Sequence, residues 1–110
     1  MTKLLATLVV VLTLTGCRGV GTPVVIINNS TVTLESVQAR GPGFAAFVGD
    51  IGPGERKKIE IYPSGEAGLG LTFKAMNRDF KSPVSGYFEP SYEVSVTVSR
   101  DMSVDVIGEF

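Results

Sequence analysis

A chain of 110 residues has room for one domain, and a core of that size closes without disulfide or metal staples. Ten Lys and Arg against eleven Asp and Glu leave a formal charge of −1, too acidic for a protein that holds nucleic acid by neutralising phosphates. With no His and one Cys there is no imidazole base, no intramolecular disulfide, and little beyond carboxylates to offer a metal.

Met1-Thr2-Lys3 supplies a short positive start, and residues 4–15 form an apolar run of twelve, three of them Thr. A bilayer-spanning helix needs about 20 apolar residues, so this run is too short to anchor the chain. It has the length of a signal-peptide core, about 7–15 residues. The run ends at Leu14-Thr15-Gly16-Cys17, and Arg18-Gly19 closes it at once. Small Thr15 and Gly16 suit an extended backbone in a protease groove. Arg18-Gly19-Val20-Gly21-Thr22-Pro23 then reads as a tether reaching about 20 Å when extended.

Beyond Pro23 the apolar residues recur with a period near two, punctuated by Gly, Pro, Asn and Ser clusters. Residues 24–27 are a β-branched run, suited to a strand buried on both sides or one at a sheet edge. Asn28-Asn29-Ser30-Thr31 holds two Asn-x-Ser/Thr sequons, read here as turn chemistry. Residues 32–39 form a second strand, in which Leu34 and Val37 fall out of phase and mark a bulge. Gly41-Pro42-Gly43 breaks it, and residues 44–51 form a third. After the Gly52-Pro53-Gly54-Glu55 turn comes the only basic cluster, Arg56-Lys57-Lys58. It reads as a solvated strand start that discourages edge pairing. Ile59 and Ile61 alternate with charged neighbours, and residues 69–76 alternate again. The Gly-rich stretch before them lacks the Lys-Ser/Thr of a phosphate loop.

Residues 77–92 form a polar and aromatic connection, rich in the Tyr, Phe and Arg favoured at interfaces. Its candidate partner-binding residues are Arg78, Phe80, Lys81, Tyr87 and Phe88. The competing reading is that these aromatics cap an open end of the core. Residues 92–99 are the clearest strand, Arg100-Asp101 a two-residue hairpin loop, and residues 102–106 resume the alternation. No window beyond Cys17 carries a helical period. The fold class expected is all-β: one antiparallel sandwich of seven or eight strands after a cleaved signal peptide.

Leu14-Thr15-Gly16-Cys17 resembles the lipobox of bacterial lipoproteins: an aliphatic residue, a small one, Gly or Ala, then Cys. The resemblance implies that residues 1–16 are removed, that Cys17 carries the lipid, and that residues 17–23 tether a domain spanning 24–110. Two or more acyl chains hold a protein stably where one does not. Arg18 stands where Asp favours inner-membrane retention, which implies the periplasmic face of the outer membrane in a Gram-negative host. In a Gram-positive host the same signal implies the outer face of the cell membrane. Ile27-Asn28-Asn29-Ser30 and Asp50-Ile51-Gly52-Pro53-Gly54-Glu55 resemble turns of bacterial immunoglobulin-like domains, without the cysteine pair and Trp of antibody domains.

No catalytic, cofactor or metal residues stand out. The carboxylates Glu55, Glu60, Glu66, Glu89 and Glu93 are scattered, with no spacing that predicts a facing pair. The function expected is a non-enzymatic envelope lipoprotein that binds a protein partner or gives structural support at the membrane surface. The rivals are a small membrane-tethered hydrolase and a phage- or plasmid-type exclusion or inhibitor lipoprotein.

Overall fold

The computed structural model describes residues 21–110. The segment 14–17, where the lipidation site is expected, and the expected signal peptide therefore lie outside the described residues. Among the described residues nine strands follow one another: β1 (Thr22–Asn28), β2 (Leu34–Gly41), β3 (Phe44–Ile51), β4 (Arg56–Ile61), β5 (Ala67–Ala75), β6 (Arg78–Lys81), β7 (Ser85–Phe88), β8 (Glu93–Val98) and β9 (Val104–Glu109). They make two packed sheets. Sheet A has the order β4-β1-β8-β9, and sheet B the order β3-β2-β5-β6 with β7 also paired to β5.

The period-two pattern decides which side chains meet. Val24 and Ile26 of β1 and Val94, Val96 and Val98 of β8 face inward from sheet A and are buried. Leu34, Val37, Leu69, Leu71 and Phe73 meet them from sheet B. Fully burying a side chain of this size stabilises by about 1.5–3 kcal/mol, so this layer holds the sheets together.

Several expectations need correction. β1 begins at Thr22, inside the expected tether, because the Thr22 hydroxyl is buried and donates to the Pro90 carbonyl at 2.7 Å. The strand is neither at an edge nor buried on both faces. It sits between β4 and β8, with Val25 and Ile27 half-buried on the outer face. The sandwich is also not wholly antiparallel, since β1 and β8 run parallel. The β8–β9 loop has three residues, not two. Ser99 N–H donates to the Ser103 carbonyl, Met102 N–H donates to the Ser99 carbonyl, and Met102 takes φ 67°. That is a turn followed by a left-handed residue, the usual three-residue solution. The bulge in β2 is where the phase break put it, between Leu34 and Val37, with Ser36 at φ 50°.

The segment 77–92 is not a loop. It contains β6 and β7, which raise the strand count above the expected seven or eight. β6 pairs with the last part of β5 and β7 with its first part, so one edge of β5 is shared. β7 also lies against β9: a Cβ built on Gly108 would stand 2.5 Å from the Tyr87 carbonyl oxygen. The chain 85–88 thereby closes one side of the sandwich between the two sheets.

The pairings define two ends. Gly21, Ile61, Ala67, Phe88 and Glu109 lie at one, here called the first end. Asn28, Gly54, the β5–β6 turn and the β8–β9 hairpin lie at the other, the far end. Seven residues of β1 separate them by about 20 Å.

At the far end a polar knot joins the sheets. Asn28 is buried, and its Nδ2 donates to the carbonyls of Val32 at 2.8 Å and Ile51 at 2.9 Å. Its Oδ1 accepts the Ser30 N–H at 3.0 Å and the Ser30 hydroxyl at 2.6 Å. All four hydrogen-bonding positions of the amide are used.

Candidate functional site

The five sequence candidates divide into two places and one burial. Arg78, Phe80 and Lys81 lie together on β6, towards the far end. Tyr87 lies on β7 at the first end, about 20 Å of strand away. Phe88 is fully buried and packs at 6.4 Å from Phe44, so it belongs to the core and is not on offer to a partner. Adjacent strand residues point to opposite faces, so Tyr87 outside places Phe88 inside.

β6 is held as an edge strand by its pairing with β5, where Phe80 stands opposite Phe73. The two rings stack at 5.3 Å with an interplanar angle of 15°. The Arg78 guanidinium sits 5.4 Å from the Phe80 ring centroid. A cation over an aromatic face at this distance is attracted by the ring quadrupole. Phe80 is half-buried, so its stacked face is committed to Phe73 while an edge borders a groove of about 330 Å³. The groove runs between β6 and the β8–β9 hairpin, lined by Phe73, Phe80, Lys81, Pro83, Met102 and Val104 among others.

Met76 lies at the same far end, in the turn between β5 and β6. It is 53% exposed and takes φ 53°, followed by Asn77 at φ 60°. Two left-handed central residues are what a two-residue hairpin requires, and Asn suits the position where Met does not. Sequence reading missed Met76 and Met102 because it took 77–92 as irregular and the next hairpin as shorter. The signal available was the four-residue spacing of Ala75 to Arg78 around two turn positions.

The first end has a different character. Tyr87 is half exposed and donates its hydroxyl to Glu89 Oε2 at 2.8 Å. That hydrogen bond, followed by burial and the charges of Glu89 and Glu66, pushes its pKa up to about 12. Tyr92 meets Tyr87 edge-on at 6.1 Å and Phe110 at 5.6 Å. Glu93 pairs across from Glu109 on the neighbouring strand, adding to the negative charge there.

Arg56, Lys57 and Lys58 are exposed on β4, an edge of sheet A. Across the outer face of that sheet Arg56 and Lys58 face Glu93 and Glu109 over a shallow floor of Pro23, Val25 and Ser95, a depression of about 450 Å³. Among the described residues no group of three or more acidic or cysteine side chains converges as a metal site would.

Neither the protein-family models nor the curated proteins yield a match to this chain. Among solved structures, an NMR structure of a protein from Eubacterium rectale is similar, with a TM-score of 0.60. The two share 13% identity over 79% of this chain and 86% of the other. A likeness at that identity concerns the fold.

Proposed function

We propose that this chain is a non-enzymatic envelope lipoprotein, anchored through Cys17 after removal of residues 1–16, whose immunoglobulin-like sandwich binds a protein partner at its far end. The observation that carries the reading is the Phe73–Phe80 stack under Arg78, bordering an apolar groove at the end opposite Gly21. Five residue steps join Cys17 to Thr22, a span of at most about 18 Å. A domain held so closely shows its far end to the surroundings and its first end to the lipid.

This orientation rests on the short tether and not on charge, since Glu66, Glu89, Glu93 and Glu109 gather around the first end, where an anionic headgroup layer would repel them. The far end offers Arg78, Phe80, Lys81 and Met76, residue types suited to a protein contact. Support for the immunoglobulin-like type comes from the two segments that carry the resemblance, which touch one another. Asn28 N–H donates to the Glu55 carbonyl, and Gly54 N–H donates to the Asn28 carbonyl.

The anchor is tested by intact mass and membrane fractionation of the wild type and Cys17→Ala. Recovery of the wild type as an unmodified full-length precursor overturns it. The binding surface is tested by Arg78→Ala with Phe80→Ala in one chain, assayed by capture from envelope extract. Capture should fall while folding is retained, and unchanged capture by a folded double variant places the contact elsewhere.

A further inference from the structure

Of the long outer strands, β4 carries Arg56, Lys57 and Lys58, charges that oppose the addition of another strand. β3 carries a single charge, Asp50 at its far end, whose carboxylate accepts the Ser36 N–H of β2 at 2.9 Å. Residues 44–48 read Phe-Ala-Ala-Phe-Val, with no charge and no proline, and among the described residues β3 pairs only with β2. Phe47 stands 67% exposed in the middle of that edge.

Register fixes which main-chain groups are open. The two-residue Pro42-Gly43 loop closes on Gly41 and Phe44, and the pairing continues through Arg40 with Ala45, Ala39 with Ala46, and Gln38 with Phe47. A two-residue loop closes on a hydrogen-bonded pair, and bonded and non-bonded pairs alternate along an antiparallel ladder. Ala39 and Ala46 are therefore bonded to each other. Ala45 and Phe47 turn their N–H and C=O groups to the free edge. Beside them lies an open groove of about 280 Å³ between the start of β3 and the end of β4, bordered by Phe44, Ala46, Glu60 and Ile61.

We propose that β3 is a second interaction site, at which an extended segment of another protein is added as a strand through the main-chain groups of Ala45 and Phe47. Two residues with outward N–H and C=O groups, two positions apart, match the repeat of a strand and of little else. Alternate side chains of the added segment enter the groove against Phe44 and Ala46, or lie outside over Phe47. Glu60 at the rim favours a basic residue opposite the start of β3, while the Lys57 ammonium, 3.7 Å from where a Cβ on Gly49 would stand, disfavours one beyond Phe47.

The proposed anchoring argues against a second copy as the occupant, and this step alone rests on that reading. Two copies standing on one membrane carry β3 in the same direction. Symmetric self-pairing about Ala46 needs the two strands opposed, which would turn one anchor away from the lipid.

The test uses the full chain, isotope-labelled and held in detergent micelles. The probe is a capped heptapeptide of alternating valine and threonine with one lysine. Amide exchange of Ala45 and Phe47 should slow on saturable peptide binding, while Ala46, already bonded to β2, stays as it was. Ala45→Pro removes one outward N–H and no bond to β2, so it should weaken the peptide about tenfold without shifting the melting temperature. Equal binding by Ala45→Pro, or no slowing at Ala45 and Phe47 in the unchanged chain, overturns the proposal. Concentration-dependent dimerisation that protects both amides without peptide overturns the choice of occupant. Capture through Arg78 and Phe80 is independent of Ala45→Pro, so failure of one site leaves the other standing.

Discussion

Replacing Asn28 by Ala should be among the most damaging single changes at the far end. The substitution removes two donors and one doubly used acceptor from a buried position. The Ile51 carbonyl and the Ser30 N–H are left in surroundings that water does not reach, while Val32 and the Ser30 hydroxyl can find each other at 3.1 Å. Each buried polar group left unmatched costs about 1–3 kcal/mol, so two give about 2–6 kcal/mol. A domain of this size has roughly 5–15 kcal/mol in total. With a urea slope of about 1–2 kcal/mol per molar, the midpoint should fall by at least 1 M. Asn29→Ala is the control, because Asn29 is exposed and its backbone N–H keeps the Val98 carbonyl. It should stay within about 0.5 kcal/mol of the wild type. Equal midpoints for the wild type and Asn28→Ala would refute the claim that this amide ties the sheets together.

Three further outcomes are expected. Met76→Asn should stabilise by about 0.5–1 kcal/mol in thermal melts, by relieving a left-handed Met at an exposed turn, and a loss of stability would show that the Met side chain packs. Gly108→Ala should cost about 2 kcal/mol or more, since its Cβ would meet the Tyr87 carbonyl oxygen at 2.5 Å and Phe88 Cβ at 2.7 Å, whereas Gly65→Ala meets nothing within 4 Å and should be near neutral. Ultraviolet titration should show Tyr87 ionising near pH 12, identified by its loss in Tyr87→Phe. Because its folded pKa lies above the ordinary value of about 10, the contribution of Tyr87 to stability is complete below pH 10 and fades as pH rises towards 12. A Tyr87 that titrates with the other tyrosines would mean that the Glu89 hydrogen bond does not persist in solution.

What the sequence made legible follows from how far each signal reaches. Alternation at Leu69, Leu71, Phe73 and Ala75, and at Val94, Val96 and Val98, is a property of one strand, and each of these residues is buried as its phase requires. The β2 bulge was legible for the same reason, because a phase break is local. β6 and β7 were not, since four residues hold too little alternation to separate a short strand from a connection. Their strand character comes from β5, whose edge both use. Composition alone could not assign Tyr87 outward and Phe88 inward, because neighbours of similar type differ only by the parity that β5 sets through the pairing of Ala67 with Phe88.

The candidate sites follow the same division. Arg78 and Phe80 could be named from residue type, but not the stack on Phe73 or the groove against Met102 and Val104, which need β6 and the β8–β9 hairpin in register with separate sheets. Asn28 read as a local turn residue, and its Ser30 bonds are local. Its bond to Ile51 spans 23 positions and exists because the β3–β4 turn packs on the end of β1. The free edge of β3 is more distant still from any sequence signal. Its apolar run is visible, but its openness depends on Ala45 and Phe47 falling on the non-bonded pairs counted from the Pro42-Gly43 loop. A single inserted residue between Gly43 and Ala45 would exchange the bonded and open positions along β3. It would leave the composition of the strand almost unchanged, yet turn the main-chain groups of Phe47 from the free edge towards β2.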